Sequence, residues 1–379
     1  MSTDTHVLVD ATAVPDSVGG VGRYLEGLVP HLRADGWRVT IVTRDSLADT
    51  VFAGLHDVAV HRVRAGLSSA PRRLIWEQTG LPRLARRLGA DVIHSPHYTV
   101  PVFTCIPRVV TFHDGTFFSD PTVHSRAKRV FFRSWTRLSA RLAAGIVVPS
   151  RATADDISRR VPLDGNRVVV ANHGVDTEVF RPPTDEEVTR LRALLDLGDS
   201  PFIAFLGTLE PRKNVPALVR AFGSAFGSTD DRPVLVLAGA RGWDDTIDAA
   251  VAQLPPSSRV VVPGYLPRDL LPALLGGADV VAYPSLGEGF GLPVLEALAC
   301  GACVLTTPRL SLPEVGGDHV EYSVPDDVAL ASALTSLFAD AARRDELRTG
   351  ARPWAARFTW ERSAEGHREA YRSAHRLGR

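Results

Sequence analysis

Cysteine, lysine and long apolar segments are scarce in this chain. Three cysteines among 379 residues are too few for a disulfide framework, which excludes the small disulfide-stabilised folds of secreted proteins. No apolar run reaches 18 residues, so the sequence offers no transmembrane helix. The first ten residues contain neither a basic leader nor an apolar signal core, and we therefore expect a cytoplasmic location.

Two of the cysteines, Cys300 and Cys303, have the Cys-x-x-Cys spacing that is typical of redox and zinc sites. No second ligand pair lies near them in the sequence, and Cys300 ends the helix that Pro293 opens. We therefore interpret them as small buried residues at a helix-to-strand turn, and we predict no metal site.

The basic residues are nearly all arginines, since only Lys128 and Lys213 among the 43 are lysines. The net charge is zero, but the charges are unevenly distributed along the sequence. Residues 1–175 hold 22 basic against 15 acidic residues, whereas residues 176–379 hold 21 against 28. The first half should therefore attract anionic material more readily than the second. We predict no nucleic-acid partner.

Short apolar runs rich in β-branched residues alternate with helical stretches along the chain. Such runs indicate strands covered on both faces, which predicts an α/β protein with parallel, doubly wound sheets. The length suits two such domains, which we place at 1–175 and 176–357, with 176–200 as the linker and a first helix. The predicted strands are 7–10, 38–43, 58–63, 91–96, 108–114, 145–150, 167–172, 201–207, 234–239, 259–264, 280–285 and 303–307.

Ligands of open α/β sheets bind beyond the carboxyl ends of the strands, and four groups of residues are predicted there. The first, "SVGGVGRYLEGL" (17–28), places three glycines, among them Gly20, before a helix. It fits either a phosphate-binding turn or a plain tight turn. The second is His113 with Asp114. A lone histidine is more often structural, but this position favours a functional role.

The third group is the pair Arg212 and Lys213, which precedes Asn214 at a helix start. Adjacent side chains diverge by about 100° within a helix, but at its N-terminus two long side chains can converge on one anion. The alternative is a solvated surface pair.

The fourth group, "GEGFGLPVLEALACG" (287–301), carries the carboxylates Glu288 and Glu296 on either side of a turn that suits an anion. Its glycines let the backbone approach a ligand, and Pro293 fits the start of a helix whose N–H groups attract phosphate. Because carboxylates repel phosphate, we expect these two to bind hydroxyl groups. A diphosphate held by Arg212 and Lys213 with hydroxyls on both sides is a nucleotide sugar. Glu296 would bind the ribose and Glu288 the sugar.

With these motifs the chain resembles the retaining glycosyltransferases of the GT-B fold, in the group called family 4. The resemblance covers nearly the whole chain, and its most specific parts are "GTLEPRKN" (207–214) and the two glutamates of "EGFGLPVLE" (288–296). The chain departs from the family at Cys303, where proline is common. Supporting stretches are "FHDGTF" (112–117), "VVPSRATADDI" (147–157), "NHGVDTEVF" (172–180) and "SLPEVGGD" (311–318).

The resemblance implies two Rossmann-like domains facing across a cleft, with the acceptor site in the first and the donor site in the second. Residues 358–379 look like the family's last helix, which crosses back onto the N-terminal domain. Arg212 and Lys213 would neutralise the diphosphate leaving group, His113 would lie by the donor sugar, and Gly20 would lie near the phosphate. Backbone N–H groups of the loop would contact phosphate and sugar, namely those of Gly289, Phe290, Gly291 and Leu292.

The resemblance also implies a reaction that keeps the anomeric configuration, with the departing phosphate taking the acceptor's proton. Fixed positive charge serves phosphate departure, and the sequence has no Asp-x-Asp motif, so neither a metal nor a cofactor is expected. The favoured donor is GDP-mannose, with UDP- and dTDP-sugars open. The acceptor is a glycan, a lipid-linked sugar or a small molecule.

Two other functions remain open at this point. A GT-B sugar-nucleotide epimerase would use acid and base groups around the same nucleotide sugar. A catalytically inactive sugar-nucleotide binder is the other possibility, although the intact Arg212, Lys213, Glu288, Glu296 and His113 argue against it.

The stretch 126–143 predicts an amphipathic helix. On a helical wheel Phe131, Trp135, Leu138 and Leu142 lie opposite a basic face. One interpretation is a core-packed helix with a solvated basic face. The other is peripheral contact with anionic lipid at the inner face of the membrane, or with a phosphate-bearing acceptor. The basic face consists of Arg126, Arg129, Arg133, Arg137 and Arg141.

Overall fold

A computed structural model of the chain describes residues 4–14, 19–34, 36–53, 55, 58–63, 69–227 and 233–378. The chain separates into two compact units. The first runs to Gly174 and resumes at Thr359, and the second is Val175–Phe358. The sequence boundaries, after 175 and after 357, each differ from these divisions by one residue.

The strands and helices follow each other in α/β alternation. The strands are β1 Thr5–Asp10, β2 Trp37–Arg44, β3 Ala59–Val63, β4 Val92–Ser95, β5 Arg108–Thr111, β6 Gly145–Val148, β7 Val168–Val170, β8 Phe202–Leu206, β9 Val234–Ala238, β10 Arg259–Gly264, β11 Val280–Tyr283, β12 Val304–Thr306 and β13 Glu321–Tyr322. The helices are α1 Gly20–Leu32, α2 Asp45–Ala48, α3 Ala70–Leu88, α4 Thr116–Ser119, α5 Arg126–Leu142, α6 Arg151–Ser158, α7 Asp185–Leu194, α8 Val215–Phe226, α9 Ile247–Ala252, α10 Leu271–Gly276, α11 Leu292–Ala299, α12 Leu312–Gly316, α13 Asp327–Ala339, α14 Ala341–Ala355 and α15 Trp360–Leu377.

Each unit contains a parallel sheet. The strand order is β3-β2-β1-β4-β5-β6-β7 in the first unit and β10-β9-β8-β11-β12-β13 in the second. The order reverses between β1 and β4 and again between β8 and β11, and such reversal points are where open α/β sheets bind ligands. The predicted doubly wound α/β architecture is therefore confirmed.

The central strands are buried on both faces, which explains their continuous apolar sequences. Every residue of β8, β9, β11 and β12 is buried, whereas the edge strand β10 is partly exposed. All twelve predicted strands are present. The thirteenth, β13, was not predicted because two residues carry no hydrophobic periodicity.

The segment 176–200 is packed into the second unit. Helix α7 within it starts with a reciprocal cap, since Thr184 Oγ1 accepts from the Glu187 N–H at 3.2 Å and Glu187 Oε2 accepts from the Thr184 N–H at 2.8 Å. Leu191 and Leu197 belong to the hydrophobic core. The first helix was thus predicted correctly, but the segment around it is not a free linker.

The C-terminal helix α15 belongs to the first unit, where it packs against α1 and the strands β4 to β7. The first residue of α15, Trp360, lies so close to the backbone at Gly174 that a Cβ atom at Gly174 would lie 2.2 Å from the Trp360 nitrogen. A Cβ atom at Gly27 of α1 would lie 2.1 Å from the Trp360 ring. Glycine at both positions is therefore what allows α15 to dock.

The cysteine pair has the structural role that was predicted. Cys300 caps the end of α11, Cys303 precedes β12, and both are buried and free. Burial raises the pKa of the Cys303 thiol to about 11, which makes it a poor nucleophile.

Helix α5 does not lie on the core in the way that the helical wheel suggested. Its buried positions are Thr136, Ser139 and Ala140, whereas Leu138 is 37% exposed and Val130 is 67% exposed. No helix in the described ranges is long and apolar enough to cross a membrane.

Three arginines of α5 reach back to the chain before the helix. Arg133 Nε donates to the Phe117 carbonyl at 2.6 Å, and Arg129 donates to the Pro121 carbonyl at 3.2 Å. Arg137 lies over the Phe118 ring at 5.2 Å. The predicted solvated basic face is therefore correct only for its outer part, because α4 and the turn after it supply carbonyls and a ring to the inner arginines.

Candidate active site

Arg212 and Lys213 are presented by a short 3₁₀ turn, Pro211–Lys213, that follows β8. Asn214 then takes the left-handed conformation with φ 57°, and its Nδ2 donates to the Pro325 carbonyl at 2.8 Å. Asparagine is one of the few residues that adopt this conformation readily. It therefore ends the turn and starts α8, which directs both basic side chains toward the neighbouring loop.

Glu288 lies in the loop between β11 and α11. Gly291 has φ 106°, and a Cβ atom there would lie 3.0 Å from Leu312, so glycine is required for backbone and packing reasons alike. Ser311 Oγ lies 2.8 Å from the Glu288 carbonyl and 2.7 Å from the Phe290 carbonyl, which fixes the loop. Because β8 and β11 flank the reversal point of the second sheet, this loop and the basic turn lie side by side.

Glu288 joins the two basic side chains in one ion-pair cluster. Its Oε2 lies 2.5 Å from Arg212, and its Oε1 accepts from Lys213 at 2.7 Å. The same Oε1 accepts from Ser285 at 2.7 Å and from Tyr283 at 3.1 Å. The sequence predicted these three charged residues in one site but not their direct pairing.

The cluster holds fixed charges in a buried place. Burial by itself would raise the pKa of Glu288, but the Arg212 and Lys213 charges outweigh it and hold that pKa at about 2. Burial and the adjacent Arg212 charge lower the pKa of Lys213, and Glu288 opposes that change. The carboxylate is therefore ionised at neutral pH, and it shares its oxygens with donors that a phosphate could also use.

Glu210 is a further member of the cluster that sequence reasoning missed. Its Oε1 lies 2.7 Å from Arg212, which holds the guanidinium between two carboxylates. The signal was its place in "TLEPRKN", two residues before Arg212. Tyr283 and Ser285 were also missed, although they end the predicted strand "VVAYPS" at the same edge of the sheet.

The remaining residues of this loop have distinct environments. Phe290 is 3% exposed and packs 5.9 Å from the Phe358 ring, so only its backbone is placed to contact a ligand. Leu292 starts α11, which has no side-chain cap at Gly291. Glu296 is buried at the fifth position of α11, because the helix begins at Leu292, one residue before the Pro293 start that the sequence suggested.

His113 follows β5 in the first unit. Its Nε2 lies 2.6 Å from the Pro96 carbonyl, and since a carbonyl only accepts, Nε2 carries the proton. Burial lowers the pKa of His113 against the opposing effects of the Pro96 carbonyl and Asp114. The neutral ring therefore offers Nδ1 as an acceptor.

Gly20 is the first residue of α1, and a Cβ atom there would meet nothing within 4 Å. Pro15 to Val18, which include the first two residues of the predicted glycine turn, lie outside the described residues. The open side of Gly20 fits a close approach by a ligand or a plain turn equally well.

Comparisons with known proteins agree with this architecture. Residues 18–179 match the model of Glycosyltransferase Family 4, and residues 189–354 match that of Glycosyl transferases group 1. The O-antigen chain mannosyltransferase B of Escherichia coli is 31% identical over 306 residues, covering 80% of this chain and 77% of that protein. The D-inositol 3-phosphate glycosyltransferase of Paenarthrobacter aurescens (strain TC1) is 28% identical, covering 94% and 93%.

Among solved structures, Anabaena HepE in complex with UDP-glucose has a TM-score of 0.78 at 18% identity, covering 96% of this chain and 98% of that one. At that identity the likeness shows the fold alone, which is GT-B. Fold, site and relatives together define a sugar-transferring enzyme. The chain belongs to the family 4, group 1 glycosyltransferases.

Proposed function

We propose that this glycosyltransferase moves a hexose from a nucleoside diphosphate sugar to a hydroxyl group with retention of the anomeric configuration. The cluster of Arg212, Lys213 and Glu288 at the reversal point of the second sheet is the observation that carries this proposal. Two fixed cations beside the start of α11 suit a diphosphate leaving group, and a carboxylate beside them suits sugar hydroxyls.

In the proposed reaction the two cations stabilise the charge that develops on the departing phosphate. Glu288 and the diphosphate compete for Arg212 and Lys213, so donor binding would release carboxylate oxygens toward the sugar. Tyr283 and Ser285 would still hold Oε1. Glu296 would bind the ribose, His113 would lie by the sugar, and Gly20 and the backbone from Gly289 to Leu292 would approach the phosphate.

We propose that the reaction needs no metal ion, with the leaving phosphate taking the acceptor's proton. Fixed side-chain cations supply the charge stabilisation that a metal would otherwise provide. Turnover measured before and after a chelator tests this point, because a loss of activity that Mg²⁺ or Mn²⁺ restores would contradict it.

GDP-mannose is the proposed donor, supported by the similarity to the Escherichia coli O-antigen chain mannosyltransferase B. UDP-sugars are the principal alternative, since a protein of the same fold was solved with UDP-glucose. The acceptor is proposed to be a glycan, a lipid-linked sugar or a small molecule.

The test is incubation of the purified protein with GDP-mannose, UDP-glucose, UDP-N-acetylglucosamine or a dTDP-sugar, with and without saccharide acceptors. Release of nucleoside diphosphate that depends on the acceptor supports transfer, and the anomeric coupling of the product reports retention. Conversion of a nucleotide sugar without acceptor would instead identify an epimerase. Binding without turnover would identify an inactive binder.

We also propose that the outer side of α5 attaches the enzyme to anionic lipid. Val130 and Leu138 are exposed apolar side chains, and Arg126 and Arg141 are exposed arginines of the same helix. Apolar side chains flanked by arginines suit the interface of an anionic membrane.

A further inference from the structure

A series of hydrogen-bonded, buried polar side chains runs through the first unit from α15 across β4, β5 and α1 and back to α15. Tyr371 and His367 of α15 stand at its two ends, and His94 of β4, Thr111 of β5 and Tyr24 of α1 lie between them. All five are at most 1% exposed. Buried polar groups are costly unless they are paired, so a complete chain of hydrogen bonds is required here.

The hydrogen bond between His367 and the Ser363 carbonyl determines which group donates in each of the other hydrogen bonds. His367 Nδ1 lies 2.7 Å from the Ser363 carbonyl and must donate to it, so Nε2 of the neutral ring is an acceptor. Tyr24, whose hydroxyl lies 2.7 Å from that Nε2, therefore donates to it. Its oxygen is then left to accept from Thr111 at 3.1 Å.

The remaining bonds follow in the same sense. Thr111 Oγ1 accepts from His94 Nε2 at 2.9 Å, and His94 Nδ1 accepts from the Tyr371 hydroxyl at 2.9 Å. Burial lowers the pKa of His367 to about 4 and that of His94 well below its usual value, which agrees with two neutral rings. One proton arrangement thus satisfies every bond in the chain.

Tyr24 connects this chain to His113. The two rings meet with centroids 5.1 Å apart at an interplanar angle of 80°, which is the edge-to-face arrangement that aromatic rings prefer. The ring of Tyr24 also lies 4.9 Å from that of His173. Its hydroxyl is held by His367 and Thr111, so the plane of the ring against His113 is set from α15.

We propose that Tyr24 is a positioning residue for His113, and that α15 acts on the transfer reaction through it. The proposal rests on the proposed role of His113 beside the donor sugar. The Pro96 carbonyl accepts from one edge of the imidazole, and the Tyr24 ring packs against the imidazole in an edge-to-face contact, so Nδ1 keeps a fixed direction. Tyr371, at the far end of the chain, has no such contact with His113.

The matched pair Tyr24→Phe and Tyr371→Phe tests this inference. Each variant loses one hydroxyl and its buried hydrogen bond to a histidine, and Tyr24→Phe also loses the bond from Thr111. Both melting temperatures should therefore fall, that of Tyr24→Phe by more. Only Tyr24→Phe should also lower kcat, by about tenfold, with the donor KM within twofold, since a misdirected group acts on the chemical step. Equal effects of the two variants on kcat, or none from Tyr24→Phe, would overturn the proposal.

The His113→Ala background separates this inference from the function on which it rests. In that background, Tyr24→Phe should lower kcat no further, because the group that it positions is gone. A His113→Ala enzyme with full activity would refute the role of His113 itself. A weak His113→Ala enzyme that Tyr24→Phe impairs a further tenfold would refute only the positioning.

Discussion

Single substitutions in the second unit act on a cluster rather than on independent residues. Arg212 and Lys213 both bind Glu288, so loss of the carboxylate leaves the buried Lys213 and the partly exposed Arg212 with fewer partners. Breaking a buried pair from one side costs roughly 3–5 kcal/mol, much of it from the charge left behind. An alanine at position 288 would therefore report on stability and phosphate affinity as well as on sugar binding.

Lys213→Ala should lower turnover by about 10²-fold or more, which is the scale observed when a partner of the transition-state charge is removed. The fold should survive, because Glu288 keeps Arg212, Tyr283 and Ser285. Steady-state rates with the preferred donor measure this effect. Lys128→Ala removes the other lysine, on exposed α5, and serves as the control. Equal rates in the two variants would contradict the leaving-group role.

The two glutamates should differ in what they bind. Glu296→Ala should weaken free nucleoside diphosphate and nucleotide sugar alike, since it is assigned to the ribose. Glu288→Gln should leave the free diphosphate bound at least as tightly, because a charge that competes for the same cations is gone. It should weaken the nucleotide sugar relative to the diphosphate by about tenfold, the value of one charge-assisted hydrogen bond. Calorimetry that shows equal loss of diphosphate binding in both variants would refute this division.

At the scale of elements, strands were predictable from the sequence and the faces of helices were not. Buried parallel strands carry apolar residues without interruption, which made all twelve predicted strands visible. The face of α5 depends instead on a neighbour, since α4 attracts the inner arginines and Thr136 and Ser139 occupy the core side. The pairing of Glu288 with Lys213 could not be predicted from the sequence either. It requires β8 and β11 to be neighbours in the sheet, although 75 residues separate the two side chains along the chain.

The geometry of α5 decides which arginines test membrane attachment. Arg133 bonds to the Phe117 carbonyl, so its loss would disturb folding as well as lipid contact. The double variant Arg126→Ala/Arg141→Ala instead removes two exposed charges. It should weaken the affinity for phosphatidylglycerol vesicles about thirtyfold at low salt, measured by sedimentation, because two arginines near the membrane surface contribute about 1 kcal/mol each.

This prediction has two controls, a variant that loses two arginines elsewhere on the protein and vesicles without anionic lipid. Arg83→Ala/Arg86→Ala removes the same charge from exposed positions of α3 and should leave sedimentation unchanged. Pure phosphatidylcholine vesicles should not bind the unaltered protein, and high salt should abolish binding to the anionic ones. Equal failure of the unaltered protein on both lipids would leave α5 as an ordinary surface helix.

At the scale of the whole molecule, the two units should respond differently to acid. Burial holds the pKa of His367 at about 4 and that of His97 at about 3, and it lowers those of His94 and His173 well below 6.5, all in the first unit. A histidine in the unfolded chain binds a proton near pH 6.5, whereas the four buried histidines of the folded state bind one only at lower pH. The stability of the first unit should therefore fall as the pH falls from 6.5 toward 4.

Glu77, also in the first unit, acts in the opposite sense but is outnumbered. Burial and the Asp10 charge raise its pKa to about 7, against Thr99 and Arg73, so the folded state keeps a proton that the unfolded state loses near 4.5. Its contribution falls as the pH rises from 4.5 to 7. Burial also raises the pKa of Asp10 and that of Asp156, so three carboxyl groups of this unit oppose the four histidines. The shift of the His367 pKa alone corresponds to about 3 kcal/mol. The net effect of lowering the pH from 6.5 toward 4 should therefore be a loss of stability in the first unit.

Amide hydrogen exchange at pH 7 and pH 5, corrected for intrinsic rates, compares the units within one sample. Protection in β4, β5 and α15 should fall by more than tenfold at pH 5. The strands around Glu288 should change little, because its folded pKa of about 2 makes its stabilisation disappear only below about pH 4.5. His367→Gln should narrow the difference in β4, β5 and α15, since Gln binds no proton in this range. Equal loss of protection in both units, or a difference that His367→Gln leaves unchanged, would show that the buried histidines do not set the acid limit of the fold.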